Sequence, residues 1–342
     1  MEPWSRALVG RIDQLEIDSG VLRGNALGDP HVRPLWVYLP PGYDEDPERR
    51  YPSVYVIQGF TGQIDMWNNR DPFRPTYPEL IDAMFERRAS PPVVVVFVDC
   101  WTSLGGSQFL NSPGTGRYLD FLCDEVVPFV DAGYRTDARR ERRGIQGKSS
   151  GGYGAMVVPM LRPEPFGALA SHAGDALFEA SYQRDFPEIS RILREHYGGS
   201  YDAFWTDFRS RVANTKPWDF QLVEMYAYAA CYSADPDGTV RMPFELETGR
   251  PVDEVWQRWL DLDPVRMVPR HAETLRSMRG IWLDAGTKDE WYLDNGAVAV
   301  SRELDAIGVP HTFELFDAGH MGINYRYPLS LAFLARALSE PI

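Results

Sequence analysis

Gly147-Lys148-Ser149-Ser150-Gly151-Gly152 follows the short run Arg143–Gln146 and precedes the helix-compatible stretch Tyr153–Met160. The first five residues spell G-x-S-x-G. Between a strand and a helix, that spacing predicts a turn so tight that its central serine is forced into a strained backbone conformation. Glycines flank the serine because any side chain there would collide with the neighbouring strand and helix. The turn lifts the Ser149 hydroxyl clear of the sheet, at the positive end of the following helix. The Gly-Lys-Ser string also invites a phosphate-loop reading, which fails. A Walker A motif needs glycine five residues before Gly147, and that position holds Arg142. The run Gly151–Gly154 lacks dinucleotide-binding spacing as well.

Outward from the turn, short β-rich runs alternate with helical stretches. Leu35–Leu39, Ser53–Ile57, Val93–Val98, Arg143–Gln146, Ala168–Ser171, Ile281–Leu283 and Thr312–Phe316 read as strands. Val93–Val98 is wholly apolar, as a central parallel strand covered on both faces should be. Tyr118–Ala132 and Ser301–Ile307 have amphipathic helical spacing. The alternation implies an α/β fold with a mostly parallel sheet and helices on both faces.

One segment breaks the rhythm. From Asp175 to Arg270 no convincing strand recurs, yet the stretch holds 16 of the chain's 44 aromatic residues. It also carries a net charge of −6, out of −14 for the 342 residues. Tyr197, Tyr201, Phe204, Trp205 and Phe208 are spaced as on a helix. The reading is an α/β core over residues 1–174 and 268–342, interrupted by a helical, aromatic-rich cap over residues 175–267. The acidic balance excludes nucleic acid as a default partner, because nothing would displace phosphate counterions. Of the 35 basic residues only Lys148, Lys216 and Lys288 are lysine, a bias read as codon usage. Cys100, Cys123 and Cys231 give neither a disulfide framework nor metal-ligand spacing. No signal-peptide core opens the sequence and no apolar run is long enough to span a membrane, so a cytoplasmic protein is expected.

A serine hydroxyl needs a base to take its proton and an acid to orient that base. Behind a nucleophile elbow the chain order is serine, acid, histidine. Of six histidines, His320 alone follows the last strand, in a Gly-His-Met-Gly loop, and is the expected base. The acid should follow the penultimate strand, where Asp284 and Asp289 compete. Asp289 is favoured because it falls three residues past Gly286, beyond the strand, whereas Asp284 is still near it. Two backbone N–H donors should meet the negative charge that develops on the substrate oxygen. Ser150 supplies one and Phe60, in the loop after Ser53–Ile57, the other, with Thr61 as the fallback.

These residues resemble the esterase D-like (putative esterase) branch of the α/β-hydrolase fold, which includes S-formylglutathione hydrolases, feruloyl esterases, enterochelin-esterase-like proteins and antigen 85 mycolyltransferases. The likeness runs through Val37–Tyr43, Gly59–Gly62, Gly105–Gln108, Asn111-Ser112, Gly147–Ala155 and Ala318–His320. It implies serine esterase chemistry on a small-molecule ester, without cofactor or metal. Two positions depart from the family pattern. Gln58-Gly59 stands where His-Gly is common, and Lys148 stands where His or Glu often precedes the nucleophile.

Loops at the strand ends should carry the pocket. Trp67, Trp101, Gln108, Asp175, Trp291 and Tyr292 are the candidate substrate contacts, and their aromatic character favours a bulky or aryl ester. Lys148 and Lys288 are read as structural. Acyl transfer to an alcohol or sugar by the same triad, a peptidase, and a non-catalytic binding protein on this fold are the alternatives. A homo-oligomer is left open.

Overall fold

In the computed structural model, which describes residues 4–71 and 73–341, one eight-stranded sheet organises the chain. Its strands are β1 (Arg11–Asp18), β2 (Val32–Leu39), β3 (Ser53–Ile57), β4 (Val94–Val98), β5 (Arg143–Lys148), β6 (Ala168–His172), β7 (Gly280–Gly286) and β8 (Thr312–Phe316). They lie in the order β1-β2-β4-β3-β5-β6-β7-β8. Pairing is antiparallel for β1–β2 and β2–β4 and parallel from β4 to β8. The register aligns Ile57 with Gly147, Gly147 with Ser171 and Ser171 with Leu283. The carboxyl ends of β3, β5, β6 and β7 therefore open on one edge, where an open α/β sheet places its ligands. This is the mostly parallel α/β-hydrolase architecture that the alternation of strands and helices implies.

β3 and β4 are buried along their whole lengths, which is why they read as unbroken apolar runs. β1 is different. It pairs along one edge only and is largely accessible, so its sequence alternates too weakly to be read as a strand.

The helices used below are α1 (Tyr77–Glu86), α2 (Val127–Gly133), α3 (Ser150–Leu161), α4 (Phe186–Tyr197), α5 (Tyr201–Arg209), α6 (Asp219–Tyr232), α7 (Asp253–Leu260), α8 (Pro264–Arg270), α9 (Leu293–Ala306) and α10 (Tyr327–Ser339). α1 begins at a capping box, with Thr76 and Glu79 each satisfying the other's backbone N–H. The expected helix over Tyr118–Ala132 is present with a π-type turn over Phe121–Val126, just ahead of α2. α9 begins at Leu293, eight residues before the amphipathic stretch read from the sequence. α3 has no polar face because residues 150–160 are all buried.

Apolar residues form a core on each face of the sheet. One gathers Phe109, Phe121, Tyr153 and Phe178; the other gathers Trp36, Trp67, Phe97 and Tyr327. Residues 175–267 contain α4 to α7, a short helix over Phe178–Ser181, and two isolated bridges, Ala234 to Val240 and Phe244 to Pro251. α8 straddles residue 267 and packs on α3 and α9. The aromatic excess of this segment is mostly interior, since Phe178, Phe186, Phe204, Trp256 and Trp259 are all buried. Trp259 is fully enclosed, with its indole N–H donating to Ser233 Oγ at 2.9 Å. Truncating such a side chain to alanine costs about 3–5 kcal/mol. Among the described residues no helix is long and apolar enough to cross a membrane, and all three cysteines are free and buried.

Candidate active site

Ser149 directly follows β5 with φ 57° and ψ −127°, a backbone conformation that a side chain adopts only under tight constraint. Its N–H donates to His172 O at 2.9 Å, and its carbonyl accepts from Tyr153 N at 2.8 Å. These bonds fix the turn at both ends. A Cβ at Gly151 would sit 2.5 Å from Ile57 O and 2.6 Å from Gln58 O. Only glycine lets the start of α3 press against the end of β3. The Ser149 hydroxyl has no hydrogen-bond partner among the described residues, and the residue is half-buried.

The loop after β3 approaches closely. A Cβ built on Gly59 would lie 3.7 Å from Ser149 Cβ. The next residue, Phe60, is buried against the hairpin Trp101–Gly106, where a Cβ on Gly106 would lie 3.2 Å from Phe60 Cα. Among the described residues neither Phe60 N nor Ser150 N has an acceptor, and Ser150 N belongs to the first turn of α3, where no intrahelical partner exists. Thr61 is exposed. Gln58 stays buried, and its side-chain amide ties the ends of β3 and β4 together, with the oxygen accepting from Cys100 N at 3.2 Å and Trp101 N at 3.0 Å and the nitrogen donating to Val98 O at 3.0 Å.

His320 and Asp289 meet at the ends of β8 and β7. His320 Nδ1 lies 2.7 Å from Asp289 Oδ2. The other carboxylate oxygen, Oδ1, accepts from Trp291 N at 2.9 Å. Both loops are braced by Lys288 N donating to Ala318 O and by His320 N donating to Glu290 Oε2, at 2.9 and 2.8 Å. A Cβ on Gly286 would come 2.7 Å from Gly319 O, so this glycine is what allows the two loops to touch. The structure joins Asp289 to His320. Among the described residues no hydrogen bond joins the Ser149 hydroxyl to the imidazole; such bonds are often open before substrate binds.

Asp284, the competing acid, is enclosed inside β7. Its Oδ1 lies 2.6 Å from His172 Nδ1, and its Oδ2 accepts from Arg326 Nε at 2.9 Å and Trp282 Nε1 at 3.0 Å. Burial works against its ionisation, but His172 and Arg326 together hold its carboxyl below the ordinary aspartate range.

The expected substrate contacts separate into groups. Trp101 and Phe60 line a cavity of about 310 Å³ with Trp205, Phe208 and Phe220. The Trp291 ring lies 4.8 Å from the His320 ring. Tyr292 is exposed beneath the Arg184 guanidinium, 4.5 Å away. Gln108 and Asp175 are buried and bound to each other, Nε2 to Oδ2, at 3.1 Å. Burial raises the Asp175 carboxyl, while Tyr182 and Gln108 oppose the rise. Trp67 stands apart, in the other core, against Tyr77, Phe97 and Tyr327.

Two groups that the sequence reading did not assign to the site lie beside it. The Lys148 ammonium has no carboxylate within ion-pair distance among the described residues and touches Met321 Sδ at 3.8 Å. Burial pushes it down to about 8, against the pull of Asp289, Asp175 and Glu290. Glu224, on α6, accepts from Tyr228 OH at 2.9 Å. A carboxylate within a helical segment reads as a solvated face, so nothing in the sequence marks it.

The family described as Putative esterase matches residues 30–326. An esterase of Mycobacterium tuberculosis is 30% identical over 154 residues, covering 44% of this chain and 30% of its own length. The chain spans 58% or less of the length of the curated relatives it matches. A solved ferulic acid esterase superposes with a TM-score of 0.61 at 17% identity, covering 96% of this chain and 99% of that one. An S-formylglutathione hydrolase from Agrobacterium tumefaciens gives 0.59 at 15% identity, with 98% of each chain covered. At these identities the two structures are alike in fold.

Proposed function

The chain belongs to the Putative esterase family, and on that premise we propose that it is a serine hydrolase of carboxylic esters acting through an acyl-enzyme on Ser149. The observation that carries the reading is the strained elbow at Ser149, with its unspent hydroxyl beside the unpaired amides of Phe60 and Ser150.

In the proposed reaction His320 Nε2 takes the proton of Ser149 Oγ as Oγ bonds to the ester carbonyl carbon. The carbonyl oxygen becomes an oxyanion held by the Phe60 and Ser150 amides, each donor worth about 2.7–4 kcal/mol of transition-state stabilisation. Asp289 fixes the imidazole so that Nδ1 carries the hydrogen and Nε2 faces the serine. Collapse of the intermediate breaks the carbon–alkoxy bond, and His320 hands its proton to the departing alcohol. Water then attacks the acyl-enzyme, with His320 again as base, and releases the acid.

Residues 175–267 act as a cap in this reading. The rings of Phe220 and Tyr228 on α6 lie 5.9 and 5.5 Å from that of Phe60, and Gln108 Nε2 donates to Tyr232 OH at 2.7 Å. The 310 Å³ aromatic cavity between cap and core suits a bulky or aryl group of the ester. Treatment with a fluorophosphonate, followed by peptide mass spectrometry, tests the assignment. The expected result is one phosphonyl group per chain, on the peptide containing Ser149, with loss of aryl ester turnover in step. Labelling elsewhere, or full turnover after labelling, overturns it.

A further inference from the structure

Phe220, Glu224 and Tyr228 follow one another at intervals of four on α6 and so share one face of the helix. Phe60 makes ring contact with the first and the third of them. Glu224 is therefore held between two aromatic rings, on the face that α6 turns toward the oxyanion loop. Across from it stands Trp291, whose indole favours the charged form of the Glu224 carboxyl and whose ring packs on His320. Tyr228 OH occupies Glu224 Oε1. Among the described residues no Lys, Arg or His forms an ion pair with this carboxyl, and it is only half-buried. An acid with aromatic faces around it and no counter-ion is an unfinished ion pair. Its own helix offers Tyr228, the loop after β6 offers Asp175, and the turn before α4 offers Asp185; none of these is a cation.

We propose that Glu224, walled by Phe60, Phe220, Tyr228 and Trp291, is the specificity-determining residue that binds an ammonium group carried by the ester substrate. Aromatic faces attract a cation through their quadrupoles, and an alkylammonium tolerates the apolar wall that excludes a more strongly hydrated ion. The carboxylate supplies the opposite charge at a half-buried position, where the aromatic neighbours leave water a smaller share of its surroundings. This rests on the reading of Ser149 as the nucleophile, since it assigns a substrate class to that site.

Burial pushes the free Glu224 carboxyl up to about 8, with Asp175 and Asp185 adding to the rise and Tyr228 and Trp291 opposing it. The charged form binds the cation. Preference for a cationic ester over its neutral isostere should therefore rise with pH up to about 8 and level off above it. Any pH dependence of the chemical step common to both esters cancels in the ratio.

The experiment has two arms. Calorimetry with choline measures binding without any requirement for turnover, on the wild-type protein, Glu224→Gln and Tyr228→Phe at pH 9. Choline should bind the wild type, at least tenfold more weakly to Glu224→Gln, and two- to fivefold more weakly to Tyr228→Phe. In the second arm, kcat and KM are measured between pH 6.5 and 9.5 for butyrylthiocholine and for its neutral 3,3-dimethylbutyl counterpart. The expected wild-type ratio of kcat/KM favours the cationic ester at least tenfold at pH 9, mostly through KM, and collapses toward one in Glu224→Gln. Absence of choline binding, or a cationic preference that survives Glu224→Gln, overturns the proposal. Preference of the wild type for the neutral 3,3-dimethylbutyl ester does so too. Choline binding without turnover of either ester would instead count against the Ser149 reading and leave the ammonium site supported.

Discussion

The molecule holds two constellations of serine, histidine and aspartate, and the better connected one is not the one proposed for catalysis. Ser330, His172 and Asp284 form an unbroken chain, with Ser330 Oγ 2.7 Å from His172 Nε2 and His172 Nδ1 2.6 Å from Asp284. Ser149, His320 and Asp289 share only the second of these links. Yet all three members of the first set are buried, and Ser330 sits in the ordinary backbone of α10. Its hydroxyl also donates to Tyr327 O and accepts from Gln146 Nε2. That oxygen is committed on every side. Ser149 has an unspent hydroxyl, a strained backbone and two unpaired amides beside it. Connectivity organises a core; reactivity needs a free nucleophile and donors waiting for charge.

The largest effect should separate the two serines. Ser149→Ala is expected to lower aryl ester kcat by about 10⁴- to 10⁶-fold. Ser330→Ala should leave kcat per folded molecule within about threefold, while removing a partner from buried His172 at a cost of about 1–3 kcal/mol. Urea titration beside a steady-state assay measures both. Equal loss of activity in the two variants would erase the distinction.

The aspartates should divide in the same way. Asp289→Asn should reduce kcat by about 10⁴-fold with little change in the unfolding midpoint, because the tautomer of His320 is no longer fixed. Asp284→Asn should cost about 3–5 kcal/mol by leaving the buried Arg326 and His172 with less compensation. The depressed carboxyl of Asp284 adds stability that is fully present above its ordinary value of 3.8 and is lost as pH falls below it. Thermal melts between pH 6 and 3 should show a shallower acid decline in Asp284→Asn than in the wild type.

The smallest effect concerns Lys148. Its lowered pKa of about 8 means that the unfolded chain holds this proton more tightly than the folded one. The charged lysine therefore costs stability below pH 8, and the cost fades as pH rises toward 10.5. Lys148→Met should raise Tm at pH 7, and the gain should be smaller at pH 10. A constant gain across that range would assign it to packing rather than to charge.

The Ser149 turn was readable because its glycines are demanded by backbone contacts within a few residues and along one neighbouring strand. That Asp289 could leave the sheet to meet His320 was readable from its place beyond Gly286. The buried strands announced themselves through apolar runs, whereas β1, paired on one edge and mostly wet, did not. The second constellation was invisible for a different reason. His172 lies 112 residues from Asp284 and 158 from Ser330, and only the pairing of β6 with β7 and the packing of α10 bring them together. Trp67 illustrates the same limit. Its position in a loop said nothing about which face of the sheet its ring would fill.

The order of strands has a consequence for how the protein is made. Ser149 comes from the middle of the sheet, whereas Asp289 and His320 ride on β7 and β8, the last two strands to be synthesised and the outermost on their side. A nascent chain can form the elbow and pack α3 long before it has either partner for the serine. His320 and Asp289, the proposed base and acid, arrive together, through the β7–β8 register and the bond from Lys288 N to Ala318 O. Appearance of esterase activity during refolding would thus clock the docking of that edge, a late event separate from collapse of the central strands.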